Sequence, residues 1–250
     1  MRLLRLLLPA VLLAAGPALA EHPAECRVAE NQIENDFPLP RVTATLANKR
    51  LDILVMGAGS SALPGADGAN KAYPARLQSV LAEKLPGVTI KVTADVKSGR
   101  TAPDAFKAIS ASLAASKPAL TIWQAGTVDA MRAVELDVFS AALDKGVETA
   151  HAAGSDVILI NAQYSPRTES IIALGIYADN MRWVALQREI PLFDRFSIMK
   201  LWAELGTFDF MAITKKLDTA ERVHDCIARL LADLIVEGAK PVAPPPDGKR

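Results

Sequence analysis

From residue 51 onward, short unbroken apolar runs alternate with longer stretches whose apolar residues recur every three or four positions. In Leu51 to Met56 four of the six residues are aliphatic and a fifth is Met, a run too short for a helix. A strand covered on both faces fits it. Tyr73 to Leu85 places Leu77, Val80, Leu81 and Leu85 on one helical face, and Pro86-Gly87 stops it. The same reading predicts strands at Val88 to Thr93, Ala119 to Ala125, Asp156 to Asn161 and Pro191 to Phe193. Helices are expected at Ala105 to Ala115, Val134 to Ala153, about Glu169 to Arg188, and Ala220 to Val236. Strands alternating with helices predict a three-layer α/β/α sandwich around a five-stranded, mostly parallel sheet. Ligands of such sheets sit beyond the carboxyl ends of the strands, which makes Gly57, Ala58, Gly59, Ser60 and Ser61 the first candidate site.

The first twenty residues change the picture. Arg2 and Arg5 precede the apolar run Leu6 to Ala15, and Ala18-Leu19-Ala20 offers small residues for cleavage before Glu21. A secretory signal is expected over 1–20, with a retained membrane anchor as the alternative. Removing it takes 28 basic residues to 26 against 28 acidic ones, a formal charge of −2 that excludes a nucleic-acid binder's balance. No later apolar run is long enough to span a membrane. An arm is expected over 21–50, one domain over 51–238, and a Pro-rich disordered tail over 239–250. Cys26 and Cys226 are the two cysteines, and in the periplasm or outside the cell they are expected to pair. The bridge would close a loop of about 200 residues, for which chain entropy gives at most about 5 kcal/mol. Two buried free thiols are the alternative.

With its elements placed, the chain resembles the SGNH, or GDSL-like, hydrolases, which have a flavodoxin-like sandwich. The resemblance rests on Ile53-Leu-Val-Met-Gly-Ala-Gly-Ser-Ser61, Tyr73-Pro-Ala-Arg-Leu77, Ser98-Gly-Arg-Thr101, Trp123-Gln-Ala-Gly-Thr127 and the segment Asp218 to Leu231. It implies an acyl-transfer site in which a Ser loses its proton to a His oriented by an Asp, while a Gly and an Asn help to hold the oxyanion. Carried across without gaps, the nucleophile falls on Gly59 and the second-block Gly on Gly99. The Asn falls on Val128, the Asp on Lys215 and the His on Asp218. Only the Gly persists. A carboxylate at Asp218, with an ordinary pKa of about 4, is a weak base at neutral pH.

Ser60 could replace the nucleophile if a one-residue bulge moved it. The competing reading makes Ser60 and Ser61 caps of the following segment. Among the histidines, His22 stands beside the cleavage site, His151 late in a helix, and His224 is expected as an exposed or core-edge helical residue. No spacing of His, Cys, Asp and Glu suggests a metal, and Gly57-Ala-Gly59 lacks the rest of a dinucleotide loop, so no cofactor is expected. Trp123, Tyr164, Trp183 and Trp202 read as core aromatics before they read as a carbohydrate or acyl pocket. The sequence therefore predicts an exported protein with a degenerate esterase site. It would bind an acyl- or carbohydrate-type ligand or an envelope partner, in the cell envelope or in exopolysaccharide processes. The alternative is an active esterase rebuilt on Ser60 or Ser61.

Overall fold

The computed structural model describes residues 22–29, 32–33, 36–212 and 217–240. The segment 1–20 expected to be a signal, Lys215 and the tail from residue 241 lie outside the described residues. The chain runs through α1 (Pro40–Ala47), β1 (Arg50–Gly57), α2 (Gly68–Lys71), α3 (Tyr73–Lys84), β2 (Thr89–Val96) and α4 (Ala102–Ser116). It continues through β3 (Leu120–Gln124), α5 (Thr127–Met131), α6 (Leu136–Ala152), β4 (Asp156–Ile160) and α7 (Pro166–Glu169). The last elements are α8 (Leu174–Gln187), β5 (Leu192–Phe193), α9 (Arg195–Glu204) and α10 (Asp218–Gly238).

The five strands lie in the order β2-β1-β3-β4-β5, and every pairing is parallel. Chain direction reverses about β1: one crossover goes to β2 and the rest go the other way. Right-handed connections therefore place α3 on one face and α4, α6 and α8 on the other. Contacts agree, since α10 packs beside α3, while α4 packs on α6 and α6 on α8.

β3 and β4 are buried at every residue, as continuous apolar runs require in the centre of a covered sheet. β2, an edge strand, stays half exposed. Thr121 and Ser155 are buried polar residues whose hydroxyls pair at 2.8 Å. Helix α4 starts at Ala102, with Thr101 accepting from the Asp104 N–H and Pro in the first turn.

Helix α1 was not expected, because it falls in the arm and carries no local cap. Its first N–H groups are satisfied from a distance, where Asp156 Oδ2 accepts from Arg41 N (2.8 Å) and Val42 N (3.0 Å). Cys26 and Cys226 are placed to form a disulfide, with Cα atoms 4.8 Å apart, joining the arm to α10. Among the described residues no helix is long and apolar enough to cross a membrane.

Candidate active site

The turn after β1 is built around a close approach. A Cβ on Gly57 would stand 2.1 Å from Ser61 Oγ, so only glycine lets Ser61 fold back beneath the strand end. Ser61 is buried, donates to Gln124 Oε1 at 2.5 Å, and accepts from the Tyr73 hydroxyl at 3.3 Å. Ser60 Oγ accepts from Gln124 Nε2. The expected caps are not made: neither hydroxyl caps the segment that follows, and both turn sideways to the last residue of β3 instead. Burial pushes the Tyr73 hydroxyl up to about 12, so it remains a donor.

Beneath this turn lies Arg195, the first residue of α9, with 1% of its surface exposed. Its Nη1 donates to the Ser60 carbonyl (2.9 Å) and Gln124 Oε1 (3.1 Å), and Nη2 donates to Gln163 Oε1 (3.0 Å). Its Nε has no partner, and no carboxylate pairs with the guanidinium among the described residues. Burial pushes Arg195 down to about 10, which leaves it charged at neutral pH. It knots together the ends of β1, β3, β4 and β5. Sequence reasoning missed it, because its acceptors lie 135, 71 and 32 residues away.

Gly59 lies two residues beyond the end of β1 and is exposed. A Cβ there would meet only Ser98 Oγ, at 3.6 Å. Next to Ser98, Gly99 has φ +71°, the left-handed conformation that favours glycine, and the Arg132 guanidinium lies against it. Thus the structure brings the first and second blocks into contact. Val128 is half-buried in α5. Its neighbour Asp129, missed in the sequence, ties the third block to the second: Oδ1 accepts from Ala102 N at 2.7 Å and Oδ2 from Gly126 N at 3.0 Å. Asp218 is the exposed first residue of α10. The start of α10 lies beside the segment that follows β1, since Glu221, one turn further, accepts from Lys71 Nζ.

The histidines are occupied elsewhere. His224 is buried rather than exposed or at the core edge, because α10 packs tightly on α3. Its Nδ1 accepts from Tyr73 N at 2.9 Å. Burial, then Arg195 and Arg76, push it down to about 3, so it is neutral. His22 pairs with Asp233, and His151 lies in the last turn of α6. No imidazole bonds to Ser60 or Ser61 among the described residues. Of the four aromatics, Trp123, Tyr164 and Trp202 are core, while Trp183 is 61% exposed on α8. No three His, Cys, Asp or Glu gather as metal ligands among the described residues. A cavity of about 700 Å³ opens at the opposite, amino edge of the sheet, between Asp52, Lys117 and Gly154.

The model of the Non-GDSL lipase-like family matches residues 25–241. The solved structure of TesA is 25% identical, with a TM-score of 0.58 over 73% of this chain and 98% of that one. An acetylxylan esterase of Geobacillus stearothermophilus, Axe2, is 18% identical, with a TM-score of 0.60 over 74% of this chain and 94% of its own. A lipase/acylhydrolase of Enterococcus faecalis is 20% identical, with a TM-score of 0.55 over 75% and 94%. None of the curated proteins compared with the chain matches it.

Proposed function

Because the chain belongs to the Non-GDSL lipase-like family, we propose that it keeps the esterase fold without ester hydrolysis and binds a ligand at the carboxyl edge of its sheet. One observation carries this reading. The residue after β1 where the resemblance expects a nucleophile is Gly59, and the neighbouring hydroxyls of Ser60 and Ser61 are held by Gln124, with no imidazole beside them. A serine attacks a carbonyl only when a base removes its proton, and a side-chain amide cannot serve as that base. At the two other changed positions that can be described, Val128 offers no side-chain donor and Asp218 is a carboxylate.

The Arg2 and Arg5 segment supports export, and the spacing of Cys26 and Cys226 suits an oxidising compartment. We read the protein as an exported accessory of the cell envelope, its ligand an acyl or carbohydrate compound. The chain should hydrolyse p-nitrophenyl acetate and butyrate no faster than its heat-denatured form. Turnover well above that background, lost in Ser60→Ala, would sink the proposal in favour of a rebuilt esterase.

A further inference from the structure

The charges around the turn point to what the site holds. Arg195 is buried with only neutral acceptors, the Ser60 carbonyl and the amides of Gln124 and Gln163, and its Nε has no partner. Dipoles of this kind solvate a guanidinium but do not neutralise it, and a buried charge without a counter-ion costs several kcal/mol. A second cation flanks the same place. The guanidinium of Arg132 lies against Gly99, its Nη2 3.0 Å from where a Cβ would stand, and makes no hydrogen bond or ion pair among the described residues.

Gly59 lies between them. Its carboxyl neighbour Ser60 carries the carbonyl that Arg195 binds, and its open side faces Ser98, the residue before Gly99. Two acids of the neighbouring loops are already engaged. Asp129 is bound by the Ala102 and Gly126 N–H groups, and Asp95 by Arg100 and Ser112. Asp218, an exposed acid, pairs with neither arginine among the described residues. The missing side chain at Gly59 also leaves the backbone open to close approach, with nothing but Ser98 Oγ within 4 Å of a Cβ placed there.

We propose that the open surface over Gly59 receives an anionic group of the ligand, a carboxylate or a phosphate, contacted by Arg132 and favoured from beneath by Arg195. The proposal rests on the reading of this edge as a binding cleft and gives that ligand its chemistry. Guanidinium is suited to the task, since its fork matches two oxygens of either anion.

Titration calorimetry on the whole chain tests it, with inorganic phosphate, glucuronate and the neutral sugar glucose as probes. Binding of phosphate or glucuronate is expected, with glucose at least tenfold weaker, and the better anion tells phosphate from carboxylate. Affinity should fall tenfold or more in Arg132→Gln, recover in part in Arg132→Lys, and weaken as NaCl is raised. Lys117→Gln, at the cavity on the opposite edge, should bind as the unmodified chain does. Arg195→Met adds a second view if it folds, but Arg132 lies at the surface and keeps the test decisive. Glucose binding as tightly as glucuronate, no binding of either anion, or Arg132→Gln binding unchanged overturns the proposal. Because none of these readouts measures ester turnover, a failure here stands apart from a failure of the inactive-esterase reading.

Discussion

Burial against Tyr73, followed by the fields of Arg195 and Arg76, pushes His224 down to about 3, below its usual 6.5. The folded state therefore binds fewer protons than the unfolded one between those values. The stabilisation is fully present above pH 6.5 and is lost as pH falls toward 3, at no more than about 1.4 kcal/mol per pH unit. By pH 5 the loss should reach about 2 kcal/mol. Asp95, Asp104, Asp144 and Asp194 are held below the usual carboxylate range and titrate further down. His151 is lowered too, so the comparison must be with a variant rather than with pH alone. Urea unfolding at pH 7 and pH 5 should show a smaller drop in His224→Asn, whose amide oxygen can still accept from Tyr73 N. Equal drops would show that His224 takes up its proton without cost. At Gly59 the expectation is different. A Cβ meets only Ser98 Oγ there, so Gly59→Ser should fold with a stability within about 1 kcal/mol of the parent and still fail to hydrolyse p-nitrophenyl butyrate. Measurable turnover from that single change would mean that a base already reaches the turn. The turn itself was legible because a strand that ends in Gly-Ala-Gly-Ser-Ser is a local pattern. Arg195 and the true partners of His224 were not, because both depend on neighbours brought in from far along the chain.

Elements divide along the same line. β1, β3 and β4 were legible because a strand buried on both faces must be apolar throughout, and α4 was read from Ala105 onward, its start at Thr101 and the proline that follows being missed. Helices α1 and α9 went unread. The first turn of α1 is held by Asp156, more than a hundred residues away, and α9 follows a two-residue strand that gives little periodicity to read. Asp156 therefore stabilises a helix that it does not belong to. Asp156→Ala would leave the N–H groups of Arg41 and Val42 without their acceptor at a buried site and should cost about 2 to 4 kcal/mol. Asp156→Asn keeps one acceptor oxygen and should cost less. Urea midpoints that rank Asn below Ala, or an Ala variant as stable as the parent, would refute the clamp.

At the scale of the whole molecule, the alternation of strands and helices was enough to anticipate a parallel five-stranded sandwich, while the order β2-β1-β3-β4-β5 came only from the structure. The tie between Cys26 and Cys226 was open to inference only because two cysteines leave one pairing. Sequence could not show that their Cα atoms come within 4.8 Å. Cys226→Ser should lower the melting temperature by roughly 5 to 15 °C, from about 2 to 5 kcal/mol of lost stabilisation. Two titratable thiols in the unreduced, denatured chain would show that the bond does not form.

That bond has a topological consequence. With it, the backbone from Cys26 to Cys226 is a closed ring, 200 residues around, that contains every strand of the sheet. A ring cut once is still one piece. A protease that nicks the exposed stretch after α9, near Leu205 or Met211, would leave both parts covalently joined through the two ends of the fold. The nicked protein would run as a single band without reductant and as two with it, and the sheet would keep all of its strands on one connected chain.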